Sequence, residues 1–205
     1  MKLDAEVDTA TAARYRVRSY PSVLILNPDG TEIDRIVGYY RAPEFMGLAE
    51  DYLAGRNTLA SLVAAESTQG SDPELVAKLA DRFFEHGRYP EASARFLRLV
   101  SLDPENKSGQ VDDALMTLAR MSRKDKDYTT ARKYAQTVLD RYPESDAMKS
   151  AFLEVGINWK KAGERDKACT VFLDFVKRFP DDEDALWAQE QADMLAAQSA
   201  RKIGA

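Results

Sequence analysis

The chain has 205 residues, 44% of them hydrophobic and 31% charged, and its net charge at pH 7 is −5. This composition is typical of a folded globular protein, and the acidic balance without a long basic run argues against nucleic acid as a partner. Cys169 is the only cysteine and His86 the only histidine, so the sequence excludes an intramolecular disulfide and is a poor source of Cys/His metal ligands. We expect no metal and no cofactor.

Membrane insertion and export are also not expected from the chain as written. No apolar run approaches the roughly 18 residues that a membrane-spanning helix needs. Residues 1–8 lack the basic and apolar stretches of a signal peptide. We therefore expect no membrane span. The location stays open: it is cytoplasmic for the sequence as written, or the cell envelope if a longer parent protein carries a signal.

The first third of the sequence predicts a small α/β unit. Residues 2–8 alternate in character and predict a strand, and a short helix is predicted over about 9–15. The apolar run 23–26 predicts a second strand. Asn-Pro-Asp-Gly at 27–30 is a strong turn signal. Because 32–37 alternates again, the runs on either side of the turn are predicted to form a β-hairpin.

A helix that begins at Pro43 completes the order strand, helix, strand, strand, helix. This order, with the motif Val-Arg-Ser-Tyr-Pro-Ser at 17–22, resembles the C-terminal half of the thioredoxin fold over about residues 1–54. The resemblance implies that the Tyr20–Pro21 peptide bond is cis and that Ser19, Tyr20 and Pro21 bind the backbone of a peptide. The family usually has Thr where this chain has Ser22.

The redox half of the thioredoxin fold is missing from this sequence. The resemblance places its Cys-x-x-Cys motif before Met1, and one cysteine elsewhere cannot carry out two-cysteine thiol–disulfide exchange. It also implies that a central strand is absent between residues 2–8 and 22–27, which leaves unpaired backbone groups at a sheet edge. We expect either a truncated piece of a longer protein or a domain in which another strand replaces the missing one, and self-association through the incomplete sheet is an open alternative.

The remaining two-thirds of the sequence is repetitive. Residues 57–72 predict a short helix and a linker, and three segments with a common pattern follow. Each segment predicts two helices, the second of which brings a small residue against the first, and each ends at a proline. The small residues and prolines are Ala92, Ala131, Ala168, Pro104, Pro143 and Pro180.

This pattern resembles the tetratricopeptide family, with repeats at about 73–106, 112–145 and 149–181 and a capping helix at 182–199. The phrases around Pro143 and Pro180 look like the longer-period repeats common in bacterial envelope proteins. The fold is therefore predicted to be mainly α, a solenoid of helical hairpins preceded by a partial thioredoxin-like domain over 1–56.

In the tetratricopeptide family the first helix of each pair lines a groove. Counting from the predicted helix starts gives these groove candidates in the second and third repeats: Met116, Arg120, Arg123, Lys124, Leu153, Ile157, Lys160 and Lys161. The cations have a simple structural explanation, because positive charge is favoured near helix C-termini. The functional alternative is a cradle for an acidic segment or a C-terminal carboxylate, with apolar contact from Met116, Leu153 and Ile157.

Two functions follow from these patterns. The first is a protein–protein interaction scaffold, redox-inactive as it stands, with other proteins or peptides as partners and acidic segments among them. The alternative is a fragment of a thiol–disulfide oxidoreductase, a thioredoxin–tetratricopeptide fusion whose Cys-x-x-Cys half lies upstream of Met1. We do not expect this chain to be an enzyme, because no catalytic triad, phosphate loop or metal-ligand cluster is present in the sequence.

Overall fold

Ten helices and one two-stranded sheet are formed by the residues that the computed structural model describes, which are 3–4 and 6–203, with side chains described as far as 198. The chain divides into two compact units, Met1–Asp103 and Pro104–Ala205. The first unit contains α1 (Thr9–Arg14), β1 (Ser22–Leu26), β2 (Glu32–Val37), α2 (Ala42–Leu53), α3 (Leu59–Gln69), α4 (Pro73–Glu85) and α5 (Tyr89–Leu102). The second contains α6 (Val111–Lys124), α7 (Tyr128–Arg141), α8 (Met148–Lys161), α9 (Arg165–Arg178) and α10 (Ala185–Ile203).

The predicted β-hairpin is present. β1 and β2 pair antiparallel, with Val23 opposite Ile36 and Ile25 opposite Asp34. The turn forms because Gly30 adopts a φ of +82°, a left-handed conformation that glycine tolerates without steric cost. Its N–H donates to the carbonyl oxygen of Asn27 at 2.9 Å.

The predicted strand at 2–8 is wrong for the residues that are described there. The backbone N–H groups of Val7 and Asp8 both donate to the carbonyl oxygen of Asp4, at 3.2 and 2.8 Å, and so form a turn. The Asp8 carboxylate then caps α1 by accepting from the N–H of Thr11 at 3.0 Å. Alternation alone predicts a strand only if a neighbour pairs with it, and no described residue pairs with this segment. Lys2 and Ala5 lie outside the described residues.

The segment 57–72, predicted to hold a short helix and a linker, is helix α3 over most of its length. The Thr58 hydroxyl caps this helix by accepting from the N–H of Ser61 at 3.1 Å. Asp72 caps α4 by accepting from the N–H of Glu74 at 3.0 Å, and Pro73 occupies the first helical turn, where its missing N–H costs nothing. Defined caps at both ends make this segment an ordered connection.

A buried carboxylate joins the N-terminal α/β piece to the first helical hairpin. Asp34 on β2 is 0% exposed and accepts from the N–H of Leu59 at 2.6 Å and from Nε2 of His86 at 2.9 Å. It also forms an ion pair with Arg82 of α4, whose guanidinium lies over the Tyr52 ring of α2 at 4.6 Å. One carboxylate thereby links β2, α2, α3 and α4, which explains why the first compact unit extends past 57–72 to Asp103.

The pKa of Asp34 lies below its usual value despite the burial of the carboxyl group. Burial raises the pKa, but the hydrogen bond from His86, the charge of Arg82 and the backbone N–H groups of Arg35 and Leu59 together lower it by more. Asp34 is therefore ionised at neutral pH, and its partners compensate the charge.

Helical hairpins follow the predicted pattern in both units: α4 with α5, α6 with α7, and α8 with α9. Ala92, Ala131 and Ala168 are fully buried, as expected for the small residue that lets two helices approach. In the last pair a Cβ atom at Gly156 would lie 2.7 Å from Cε1 of Phe172, so only glycine fits at this approach. Among the described helices, none is long and apolar enough to span a lipid bilayer.

Candidate functional site

The predicted peptide-binding loop lies at the open end of the β-hairpin. The Tyr20–Pro21 peptide bond is cis, as predicted. The loop is fixed at its base, because the Ser22 hydroxyl donates to the carbonyl oxygen of Ser19 at 2.7 Å and the Gly38 N–H donates to that of Pro21 at 2.9 Å. The Tyr20 side chain is 64% exposed, so it is available to a ligand.

Two further tyrosines at this end of the hairpin were missed in the sequence. Tyr39 is 92% exposed and Tyr40 is 44% exposed, and both follow Gly38, which is paired with Pro21. Their position could have been found by counting the hairpin register outward from the turn at 27–30. Exposed tyrosines are enriched at protein interfaces, where a ring supplies contact area and a hydroxyl supplies a hydrogen bond.

The predicted groove residues of the second unit lie on α6 and α8. These helices end at Lys124 and Lys161, so equivalent residues differ by 37 positions (161 − 124). Arg120 therefore corresponds to Ile157, and Arg123 corresponds to Lys160. This correspondence separates the eight predicted residues into three groups with different environments.

The first group, Arg123 and Lys160, is engaged in a contact that repeats along the solenoid. Nε of Arg123 donates to Oε1 of Glu154 at 2.7 Å, and Nζ of Lys160 donates to Oε1 of Gln191 at 2.6 Å. Glu154 and Gln191 are only 5% and 8% exposed, and they too differ by 37 positions. We call these two contacts the inter-repeat clamps. Each joins the last turn of one first helix to the middle of the next.

The second group, Met116 and Leu153, corrects the predicted apolar groove. Met116 is 2% exposed and Leu153 is 8% exposed, so neither offers surface to a ligand. Leu153 packs in a cluster with Phe172 and Phe175. An inner helix of a solenoid is covered by its hairpin partner and by the next repeat, so its buried face is wider than the single apolar stripe on which the prediction relied.

The third group remains accessible. Arg120, Lys124 and Lys161 are exposed, and Ile157 is half-buried. Asp113 lies at the opposite end of α6, where burial and then the neighbouring charges of Asp112 and Asp146 raise its pKa. We define the α6–α8 face as these four accessible residues together with the two clamps. The face carries positive charge towards the C-terminal ends of α6 and α8, whereas acidic groups lie at the start of α6.

Cys169 lies half-buried on α9, and its thiol donates to the carbonyl oxygen of Ala192 at 3.6 Å. Burial, followed by the charges of Asp166 and Asp193, raises its pKa. A thiol with a raised pKa forms less thiolate, the nucleophilic species. Within the described part of the chain no three His, Cys, Asp or Glu side chains are grouped to hold a metal ion.

Comparison with known families agrees with this architecture. A thioredoxin-like domain matches residues 3–53, and a tetratricopeptide repeat matches residues 113–145 and 150–182. The two matched repeats agree within one residue with the second and third repeats predicted from the sequence. A search of the curated proteins found no match.

Solved structures that resemble the chain are tetratricopeptide proteins. A variant of nearly identical TPR-like repeats from Podosopora anserina superposes with a TM-score of 0.57 at 13% identity, covering 78% of this chain and 83% of that chain. MamA superposes with a TM-score of 0.53 at 14% identity, covering 80% of this chain and 99% of that one. At such identities the likeness shows the fold alone. The chain thus carries a thioredoxin-like domain at residues 3–53, followed by a helical solenoid that contains tetratricopeptide repeats.

Proposed function

We propose that the chain is a protein-interaction scaffold whose α6–α8 face binds an acidic segment of a partner protein. Tetratricopeptide repeats fit a scaffold role, and the observation that carries the choice of ligand is the charge of this face. Arg120, Lys124 and Lys161 are exposed there although the whole chain has a net charge of −5. Opposite charge favours both encounter and orientation of an acidic segment.

The inter-repeat clamps support this proposal by holding the face rigid. Arg123 and Lys160 fix α6 to α8 and α8 to α10, so the neighbouring cations extend from a backbone that is already ordered. Binding to a preorganised surface costs less conformational entropy. Arg120 would form paired hydrogen bonds with a carboxylate, Lys161 would act as a point charge, and Ile157 would contact apolar side chains between the acidic ones.

A charge-matched pair of double variants tests the proposal. Arg120→Ala with Lys161→Ala removes two cations from the α6–α8 face, whereas Lys133→Ala with Lys177→Ala removes two exposed cations from the second helices α7 and α9. With a glutamate-rich peptide as the probe, we expect calorimetric titration to show about tenfold weaker binding for the first variant. The second should bind within about twofold of the unaltered chain.

Salt dependence separates a specific site from general attraction. Equal losses of affinity in both double variants, confined to low ionic strength, would contradict the proposal and indicate attraction by the overall field. An unchanged affinity of Arg120→Ala with Lys161→Ala would also contradict it. Both variants alter exposed side chains, so matching melting temperatures are expected and show that any loss is not due to unfolding.

The hairpin loop is a second contact surface that we propose for the same scaffold function. Ser19, Tyr20 and Pro21 are held in place at their ends while Tyr20 and Tyr39 are exposed. These tyrosines would pack against an extended peptide. Replacing both with alanine should abolish any chemical-shift change that a bound peptide causes at residues 19–23, whereas Tyr128→Phe on α7 should not.

The second candidate function is that the chain forms part of a thiol–disulfide oxidoreductase. It is supported by the match of a thioredoxin-like domain to residues 3–53. The only thiol of this sequence has a raised pKa and lies on α9, so disulfide reduction would need a redox motif from another polypeptide or a longer parent. We expect this chain to add nothing to the rate at which dithiothreitol alone reduces insulin. Activity that is lost in Cys169→Ser would favour the oxidoreductase.

A further inference from the structure

A cleft lined by arginine side chains lies in the first unit. Its lining includes Arg14, Arg16, Glu32, Arg35 and Arg88. The cleft has a volume of about 220 Å³. That is several times the roughly 30 Å³ that one water molecule occupies in the liquid, so a small oxyanion fits with water around it.

The floor of the cleft is a fixed and neutral ion pair. The Arg35 guanidinium is buried and donates to both carboxylate oxygens of Glu32, at 2.6 Å each. It also donates to the carbonyl oxygen of Tyr15 at 2.7 Å, and the Tyr15 hydroxyl donates to the carbonyl oxygen of Gly30 at 2.8 Å. Nη1 of Arg35 makes longer contacts to the carbonyl oxygens of Glu85 at 3.3 Å and Arg16 at 3.5 Å, so all its donors are occupied and none is left for a ligand. Arg35 instead holds the backbone that carries the neighbouring arginines.

The rim of the cleft carries two arginine side chains whose charge is not neutralised by an ion pair within the described residues. Arg14 and Arg16 are exposed, and neither forms an ion pair with another residue in the described ranges. Arg16 adopts a φ of +51° next to the turn between α4 and α5, where its Cβ would lie 3.5 Å from a Cβ placed on Gly87. Arg88 directly follows Gly87; its side chain is 39% exposed, lies over the Phe83 ring at 4.6 Å and pairs with Glu91 at 2.7 Å. Two unpaired guanidinium groups and one exposed pair therefore border one small space.

We propose that Arg14, Arg16 and Arg88 bind a phosphate group. Guanidinium groups donate paired hydrogen bonds that match the oxygen atoms of a phosphate, and their charge is not lost at any physiological pH. A phosphate brings close to two negative charges and three acceptor oxygens, so it can be shared by several guanidinium groups that border the same cleft. A carboxylate has one charge and two oxygens, which a single arginine already satisfies. The source is either free phosphate or a phosphorylated side chain of a partner.

Titration of the full chain with inorganic phosphate, O-phosphoserine and acetate tests the site, with backbone amide chemical shifts as the readout. We expect saturable shifts at residues 14–18 and 86–91 with both phosphate probes, and at least about tenfold weaker binding of acetate. O-phosphoserine binding more tightly than inorganic phosphate would identify a phosphorylated side chain as the ligand. Equal affinities would identify free phosphate.

Arg14→Gln with Arg16→Gln should weaken phosphate binding about tenfold or more, because both alter exposed side chains and leave the Arg35–Glu32 pair intact. Arg165→Gln with Arg178→Gln removes the same charge from exposed positions on α9 and should leave the affinity unchanged. The proposal is overturned if phosphate causes no saturable shift at 14–18 and 86–91. It is also overturned if the two double variants bind phosphate equally well.

Discussion

Gly156 lies where α8 and α9 approach each other closely. A Cβ atom there would lie 2.7 Å from Cε1 and 3.0 Å from Cδ1 of Phe172, which is itself fully buried. Phe172 has little room to move, because the Trp187 ring packs edge-on against it at a centroid distance of 5.5 Å. We predict that Gly156→Ala lowers the free energy of unfolding by about 1–3 kcal/mol through overpacking, as measured by urea denaturation.

Gly47→Ala provides the control for that substitution. Gly47 lies within α2, its φ is not positive, and a Cβ atom there would meet nothing within 4 Å. Alanine is favoured over glycine inside a helix by about 0.5–1 kcal/mol, so this variant should be slightly more stable. Loss of stability at position 47 and none at 156 would contradict the close approach of α8 and α9.

Asp34 makes the free energy of unfolding depend on pH in the acidic range. An aspartate has a pKa of about 3.9 in an unfolded chain, and the folded value of Asp34 is lower. Its contribution to the free energy of unfolding is therefore fully present above about pH 4 and is lost as the pH falls through the folded pKa. The Glu85 carboxyl, whose pKa is raised by burial, acts in the opposite direction.

We predict that Asp34→Asn flattens the fall of stability below about pH 4, because the substituted amide does not titrate. Measuring the free energy of unfolding at several pH values for both proteins isolates this contribution, since the other carboxylates are common to both. Parallel curves over the acidic range would show that Asp34 is not held ionised by His86 and Arg82.

Among the helices, the inter-repeat clamps are the feature that the sequence could not reveal. Arg123 and Glu154 are 31 residues apart, as are Lys160 and Gln191. Helical spacing predicts contacts three or four residues apart, and only the stacking of hairpins brings these pairs together. For the same reason counting along one helix placed Met116 and Leu153 in the groove, although neighbouring helices bury them.

We predict that Arg123→Ala destabilises the chain by about 1–2 kcal/mol, because it leaves the buried Glu154 carboxylate with a single hydrogen bond among the described residues, from Nδ2 of Asn158. Partial exposure of Arg123 limits the effect. Lys160→Ala should lower the free energy of unfolding by less, since the partner that it leaves unpaired, the side-chain amide of Gln191, carries no charge. Urea denaturation measures both effects, and adding Glu154→Ala alone and Arg123→Ala with Glu154→Ala gives the coupling energy of the first clamp. A coupling energy of zero would mean that the clamp contributes nothing.

At the level of the whole molecule, the repeats and the hairpin were predictable but the grouping of elements was not. Periodicity, the turn at 27–30 and the recurring prolines predicted the helical hairpins and the β-hairpin because these signals are local. The sequence also predicted a short helix and a linker at 57–72, between the α/β piece and the repeats. The first compact unit crosses that segment because Asp34 contacts Leu59, Arg82 and His86, which are distant in sequence.

We predict that the α/β piece and the first helical hairpin lose structure together. Asp34→Ala should speed amide hydrogen exchange in α3 and α4 as well as in β2, because the carboxylate is bonded to residues in all three. Asp29→Ala is the control, since Asp29 accepts hydrogen bonds only from its hairpin neighbour Thr31 among the described residues. Faster exchange confined to β2 would contradict this prediction and indicate that the α/β piece and the first helical hairpin are separate domains divided at 57–72.

Mapping where an acidic peptide binds is the most direct test of whether the α6–α8 face is the binding site. With a glutamate-rich peptide at saturating concentration, backbone amide shifts should change along the exposed positions of α6 and α8, around Arg120, Lys124, Ile157 and Lys161. The second helices α7 and α9 should change little. Shifts that concentrate on α7 and α9, or that spread evenly over every exposed cation, would contradict the account.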